Sequence, residues 1–461
     1  MATDSKRRTM FHFSGAVWTG KCEERETDRT PWHTIVMVIV LFYLIDHNVF
    51  ASTDVTFSDP AEAASKAANI LNGSIRRQVS YFAFGMYGLI SWWRSRQYRL
   101  EGRGKLAIGV LFFLVWSTLS MTWSTAPEFT ARRLTALGLM ALGISGLLRQ
   151  LSALQIVKLI FWTTLVYLGI GIGAELALGT FAPWFPGYRF AGTLSANLQG
   201  INCAALAFAS IALSTVSRSR RLVFLSVALI GCAFLILTGS RGSIAGAVAG
   251  LAVMWILKAP RDRLVIAALV SSSAVVLGLA LVANGEMASP VTALLAERVP
   301  GVGLLTGRAD LWAVLVQYAR ERPVLGYGYG AFFDDARGMA IASRVGTWTF
   351  GGPHSIYLGI LLDLGAIGLV SLLGIACGSV WKSARAYRGM QEPWYLLFTS
   401  LLVFCILSGG VEAELLSPAP QLVPWLVISF VAFRPSLCAT GVSRIPESIA
   451  FASKHTTDAN R

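Results

Sequence analysis

One histidine stands where an ionisable group could do chemistry at the edge of a membrane. His354 lies in "GGPHSIYLGILLDLGAIG", residues 351–368, between a Gly-Gly-Pro stretch and a long apolar run. An imidazole titrates near neutral pH and can accept a proton from an attacking hydroxyl. A histidine that merely ends an apolar helix explains the same residues equally well, so this stretch leaves both interpretations open.

Three arginines lie in glycine-containing stretches that suit a phosphate group. Arg189 lies in "GYRFAGT", Arg241 in "TGSRGS" and Arg308 in "TGRADLW". The planar guanidinium matches phosphate oxygens, and neighbouring glycines let backbone N–H groups approach an anion. Snorkelling to the membrane interface is the simpler explanation for any single arginine. Three of them together with His354 favour a pyrophosphate site.

Asp363 is the other ionisable residue of the quoted stretch. It follows His354 by nine residues. At about 100° per residue, that spacing puts the two side chains on opposite faces of one straight helix. We therefore expect Asp363 to cap a loop amide or to pair with an arginine rather than to orient His354. A simple structural role and a catalytic role both stay open for Asp363.

Motifs for nucleotides and metals are missing from the sequence. "GYGYG" (326–330) lacks the G-x-G-x-x-G spacing and predicts a flexible turn. No H-E-x-x-H or D-x-D occurs, and Asp334 and Asp335 are adjacent rather than spaced as ligands. We therefore expect chemistry without a metal or a cofactor.

The composition is that of a membrane protein. Hydrophobic residues make up 54% of the 461 residues and charged residues 14%, with a mean hydropathy of +0.59, whereas soluble domains carry about 25% charged residues. Apolar runs near the ~20 residues that a membrane-spanning helix needs recur along the chain. We predict an all-α polytopic membrane protein with about twelve transmembrane helices, centred near residues 42, 87, 114, 140, 166, 207, 230, 250, 273, 371, 402 and 427.

Basic residues in the short loops give the predicted orientation, with both chain ends in the cytoplasm. The net charge of +14 is scattered over these loops, which argues against a nucleic-acid partner. The predicted divisions are a cytoplasmic tail (1–32), nine transmembrane helices (33–283), a large periplasmic loop (284–356), three further transmembrane helices (357–434) and a second cytoplasmic tail (435–461).

The large loop contains a predicted helix over residues 309–321. It should end by Arg322, because Pro323 disfavours helical geometry in the residue before it. We expect it to lie on the membrane surface with its apolar stripe facing the lipid. The stripe comprises Leu311, Trp312, Leu315, Val316 and Ala319.

A site on the outer side of the membrane has no nucleotide pool to draw on. A group-transfer enzyme there needs a substrate that carries its own activated bond, and a lipid-pyrophosphate sugar has one. Arginines would hold its diphosphate and stabilise the charge that grows as the glycosidic bond breaks.

The order of several stretches resembles one known family. "YRFAGT" followed by Asn197, "TGSRGS", "GRADLW", "ERPVLGYGYGAF" and "HSIYLGILLDLGAIG", with the earlier "LSMTWSTAPEFTARR" (119–133), are similar to the O-antigen ligases and polymerases of bacterial envelopes. The resemblance covers about residues 105–410. It implies the C-type glycosyltransferase fold and transfer of a glycan from an undecaprenyl-pyrophosphate carrier to a sugar hydroxyl, without metal, on the periplasmic side of the inner membrane.

The same resemblance implies roles for individual residues. His354 matches the catalytic base, Arg189 and Arg308 match diphosphate ligands, and Arg241 is a weaker match. Asp363 stands where family members usually have glutamate, so it joins the candidate substrate-binding residues with an open question about its partner.

Two activities share this motif set. A ligase joins a finished glycan to lipid A–core, and a polymerase extends the glycan itself; "RPVLGYGYGAFF" leans towards the exopolysaccharide polymerases. An exporter or flippase of lipid-linked sugars, with no chemistry of its own, is the alternative. A transporter predicts ionisable groups near the middle of the membrane, and their position at the outer end favours the enzyme.

The topology can be tested with reporter fusions. Fusions after residues 100, 220 and 260 should all report the cytoplasm, because each position lies in a basic loop. A periplasmic signal at any of the three positions would break the count of twelve spans.

Overall fold

The helices of the computed structural model follow the apolar runs of the sequence. The model describes residues 30–46, 75–94, 98–258, 308–345, 352–411 and 418–434, and within these ranges it has thirteen α-helices and no strand. In chain order they are α1 (Trp32–Asp46), α2 (Ile75–Arg94), α3 (Lys105–Leu119), α4 (Pro127–Gln150), α5 (Ala153–Leu178), α6 (Ala196–Val216), α7 (Arg221–Leu237), α8 (Arg241–Lys258), α9 (Arg308–Glu321), α10 (Asp335–Val345), α11 (Ile356–Met390), α12 (Pro393–Ser408) and α13 (Pro418–Phe433).

Six of the described helices are long and apolar enough to cross a membrane. They are α3 with the 3₁₀ turn that follows it, α4, α5, α6, α8 and α11, and α1, α7, α12 and α13 are shorter apolar helices. The all-helical membrane architecture is therefore confirmed, whereas the count of twelve spans stays a prediction. The span predicted near residue 273, both predicted tails apart from residues 30–32, and residues 284–307 of the predicted large loop lie outside the described residues.

One face of α7 is both apolar and exposed. Leu222, Leu229 and Ile236 recur every seven residues along it and are 78%, 72% and 65% exposed. A row of exposed aliphatic side chains this long is unfavourable in water and favourable against hydrocarbon. This face of α7 is therefore suited to contact with lipid.

Small residues let neighbouring helices approach closely. A Cβ atom added to Gly88 of α2 would lie 2.2 Å from the Leu142 carbonyl oxygen of α4. Between α8 and α12, a Cβ at Gly250 would lie 3.1 Å from the carbonyl oxygen of Ser400. Membrane helices pack through such residues, because burial against another helix gains little over burial in lipid.

Helix α11 is broken at Gly365. This residue has φ 67° and ψ −168°, so the chain before it and the chain after it form two helical segments. Only glycine adopts this conformation readily. A Cβ at Gly365 would also lie 2.0 Å from the carbonyl oxygen of Val324. Both observations require glycine at this position.

The backbone groups freed by the break are paired by distant residues. Pairing is needed because an unsatisfied carbonyl or N–H in a membrane costs several kcal/mol. The segment 323–330 supplies three of the four partners. The pairs are Tyr327 N to Leu362 O (2.8 Å), Gly328 N to Asp363 O (2.8 Å), Ala366 N to Pro323 O (2.8 Å) and the Trp116 indole N–H to Leu364 O (3.2 Å).

This arrangement corrects the prediction of a flexible turn at "GYGYG". Gly326, Gly328 and Gly330 all have positive φ, and Tyr329 N donates to the Ser120 hydroxyl at 2.9 Å. A Cβ at Gly326 would lie 2.6 Å from the Asp363 carbonyl. Gly326 therefore permits a close approach to α11, whereas Gly328 and Gly330 permit close approaches to Ser124 and Arg133.

The predicted helix at 309–321 is present as α9, and it ends before Pro323 as expected. The predicted contact of its apolar stripe with lipid is wrong for the buried members of that stripe. Leu311, Leu315 and Ala319 pack in a separate hydrophobic cluster with Phe332 and Ile341. These residues are apolar because they pack on protein. The helical spacing of apolar residues is the same whether the stripe packs on protein or on lipid.

Replacement of Gly365 by alanine should destabilise the protein, since the conformation alone costs about 1–3 kcal/mol in a non-glycine residue. The thermal unfolding midpoint of the purified protein in detergent should fall. Gly374→Ala on the same helix is the matched control, because a Cβ there meets no atom within 4 Å. Equal midpoints for the two variants would contradict the role given to Gly365.

Candidate active site

His354 has an unusual backbone conformation. Its φ is 49°, in the left-handed region, where a non-glycine residue costs about 1–3 kcal/mol. The residue is partly exposed. Such strain persists only where surrounding contacts fix the chain, and it is typical of functional sites.

Contacts on both sides of His354 fix its position. The Trp312 indole N–H of α9 donates to the Pro353 carbonyl at 2.9 Å. On the other side, Ser355 caps α11 through its hydroxyl, and Ile356 N donates to the Gly409 carbonyl at 2.8 Å. His354 is therefore held between α9 and the end of α12.

Arg189 lies in the loop between α5 and α6 and bridges two helix ends. Its Nε donates to the Thr238 carbonyl at 2.9 Å, and its Nη2 donates to Asn197 Oδ1 at 2.8 Å. The two bonds fix the plane of the guanidinium beside the turn that joins α7 to α8. Arg241 begins α8 three residues after Thr238, so Arg189 and the "TGSRGS" stretch lie together.

The packing of α8 on α12 places Arg241 at the same end of the bundle as His354. A Cβ at Gly246 of α8 would lie 2.9 Å from the Phe404 ring of α12. The two helices run antiparallel, and Arg241 and Gly409 each lie five residues beyond this contact, about 7.5 Å along the axis. Gly409 accepts the hydrogen bond of Ile356, so His354 and Arg241 lie at similar depth.

Arg308 is the first residue of α9, and the placement of its side chain lies outside the described part of the structure. The helix start is one turn before Trp312, which contacts the residue preceding His354. The backbone of Arg308 thus begins the helix that holds His354 in place.

Glu175 is a site residue that the sequence reasoning missed. Its carboxylate is buried in α5 and accepts hydrogen bonds from Ala191 N (2.9 Å), Gly192 N (2.7 Å) and the Tyr188 hydroxyl. Burial, and then the neighbouring Glu175, raise the pKa of Tyr188. Glu175 therefore shapes the loop that carries Arg189. A lone carboxylate in an apolar run is a signal that should have identified it.

Asp363 lies on the short first segment of α11, beside the 323–330 segment. Its Oδ1 accepts a long hydrogen bond from Phe332 N (3.4 Å), and the positive charge of Arg133 in α4 acts on it. Arg133 packs on Gly330, whose added Cβ would lie 2.1 Å from its Cδ. The expected cap on a loop amide is thus present, and the break in α11 comes after Asp363. These contacts assign Asp363 to the organisation of the loop.

Two tyrosines of the 323–330 segment stay protonated at neutral pH. Burial, and then a hydrogen bond to Glu321, raise the pKa of Tyr327 to about 12. Burial, with the charge of Asp363 adding to it, raises the pKa of Tyr329 to about 12. Both are hydrogen-bond donors near neutrality and are unsuited to act as bases.

The fold and the placement of these residues define a class of protein, an integral membrane protein with a histidine and arginines at one end of a helical bundle. Residues 225–373 match the family model described as O-antigen ligase, so this part of the chain is similar to the O-antigen ligase and polymerase family. The match supports a glycan-transferring membrane enzyme in general. The match includes Arg241, Arg308, His354 and Asp363, and Arg189 lies before it. A search among curated proteins finds no significant match to the chain.

The electrostatic coupling of Asp363 to Arg133 can be measured with a double-mutant cycle. Asp363→Asn and Arg133→Gln should show an interaction free energy of unfolding of at least about 0.5 kcal/mol, because each removes one charge of the same interacting pair. Arg132→Gln is the control, since Arg132 stacks on Phe129 instead. Additive effects in the Arg133 cycle would show that Asp363 and Arg133 do not interact.

Proposed function

We propose that the protein transfers a glycan from an undecaprenyl-pyrophosphate carrier to a sugar hydroxyl at the periplasmic face of the inner membrane, without metal. The acceptor is a growing glycan if the protein is a polymerase and lipid A–core if it is a ligase. The observation that carries the proposal is the strained His354, fixed at the end of the bundle where Arg189 and Arg241 also lie.

In the proposed reaction His354 takes the proton of the acceptor hydroxyl. The acceptor oxygen attacks the anomeric carbon of the donor, a new glycosidic bond forms, and the bond from that carbon to the pyrophosphate oxygen breaks. Undecaprenyl pyrophosphate leaves with the bonding electrons. The negative charge on the leaving group increases in the transition state, so fixed cations beside it lower the barrier.

Arg189 and Arg308 are the proposed ligands of the diphosphate, with Arg241 as a further cation. Support for Arg189 comes from its bonds to Thr238 and Asn197, which hold the guanidinium plane before substrate arrives. A fixed guanidinium loses little entropy on binding and offers two parallel N–H donors to phosphate oxygens. In this proposal Asp363 contributes by organising the 323–330 segment.

Replacement of His354 tests the proposal. In a strain lacking the chromosomal gene, His354→Gln should lower glycan transfer about 10²–10⁴-fold, as is typical when a general base is removed, with normal protein level. Glutamine keeps a polar tip and can still cap an amide. Normal polymer from His354→Gln would therefore support a histidine that only ends the helix, or an exporter that does no chemistry.

The surface glycan of the deletion strain distinguishes the two activities within the family. A lost polymerase leaves short chains on their correct anchor. A lost ligase leaves long chains on undecaprenyl pyrophosphate and none on lipid A–core. The "RPVLGYGYGAFF" stretch leads us to expect the first pattern.

A further inference from the structure

A long apolar groove lies on the surface between α3 and the second segment of α11, away from His354. It has a volume of about 900 Å³ and follows α11 from Ala366 to Lys382. Most of its lining is apolar or glycine, with Phe112 from α3 and Val370 and Gly374 from α11. A Cβ at Gly374 would meet no protein atom within 4 Å, so this glycine opens into the groove.

The length of the groove suits an extended hydrocarbon chain. The stretch of α11 from Ala366 to Lys382 is about 24 Å long at 1.5 Å per residue. Hydrocarbon chains are thin enough to enter.

Lysines mark one end of this groove. Lys105 begins α3 and Lys382 lies late in α11, and both line it. They lie at the end of α11 opposite His354. The carboxylate of Glu101 also acts on Lys382, while Arg103 precedes Lys105 by two residues, so the local charge is positive. Basic groups beside an apolar channel at a membrane edge suit a phosphate headgroup with its chain in the channel.

We propose that this groove binds an anionic phospholipid, with an acyl chain lying between α3 and α11 and the phosphate between Lys105 and Lys382. The site is separate from His354 and does not depend on the proposed reaction. Its ligand belongs to the leaflet opposite the candidate active site.

Native mass spectrometry of the purified full-length protein with phosphatidylglycerol and phosphatidylcholine tests the proposal. Lys105→Gln/Lys382→Gln should lower the affinity for phosphatidylglycerol about 30-fold, since each lysine near a phosphate contributes about 1 kcal/mol. Phosphatidylcholine binding should change little. Gly374→Leu should fill the groove and remove one bound lipid of either kind.

Two control variants make the same changes elsewhere. Gly169→Leu adds a leucine to the exposed surface of α5, where a Cβ also meets no atom within 4 Å. Arg218→Gln/Arg220→Gln removes two charges from the loop between α6 and α7. Both should bind lipid like the wild type. Equal loss in the controls, unchanged binding in the groove variants, or a dimer that Gly374→Leu dissociates would overturn the proposal.

Discussion

The break in α11 at Gly365 is the constraint on which the candidate active site depends. A broken helix in a low-dielectric environment must find new partners for its backbone groups, and here the 323–330 segment supplies most of them. That segment follows α9 directly, so pairing it with α11 also fixes α9. Trp312 of α9 in turn donates a hydrogen bond to the Pro353 carbonyl, beside His354. These contacts form a closed ring made of the first segment of α11, the 323–330 segment and α9.

This ring explains how His354 keeps a conformation that costs about 1–3 kcal/mol. The peptide before it is held by Trp312, and the helix after it is held by Gly409 and by the pairing at the break. No single contact has to offset the strain. A flexible histidine at the membrane edge would need none of these contacts, so their presence favours a role that requires a fixed imidazole.

Local rules predicted the helices well and the contacts between them poorly. Pro323 marked the end of α9 correctly because its effect acts on the neighbouring residue. The glycines of "GYGYG" were misread because the atoms that crowd them belong to distant parts of the chain, namely Asp363, Ser124 and Arg133. The prediction that the apolar stripe of α9 faces lipid was wrong for the same reason. The spacing of apolar residues shows that one face of a helix is apolar, but it does not show what covers that face. Glu175 was visible as a lone carboxylate, but its partners come from a loop that only the fold brings close.

Glu175 and Asp363 use their charge in a related way. Each carboxylate accepts N–H groups from a glycine-containing loop that passes close to an arginine. At the first loop the described bonds of Glu175 go to Tyr188 and to backbone N–H groups, and those of Arg189 go to Thr238 and Asn197. The acid therefore shapes the loop without ion-pairing in these bonds with the arginine that the loop presents. In these bonds the positive charge of Arg189 stays available, whereas Asp363 also lies in the field of Arg133.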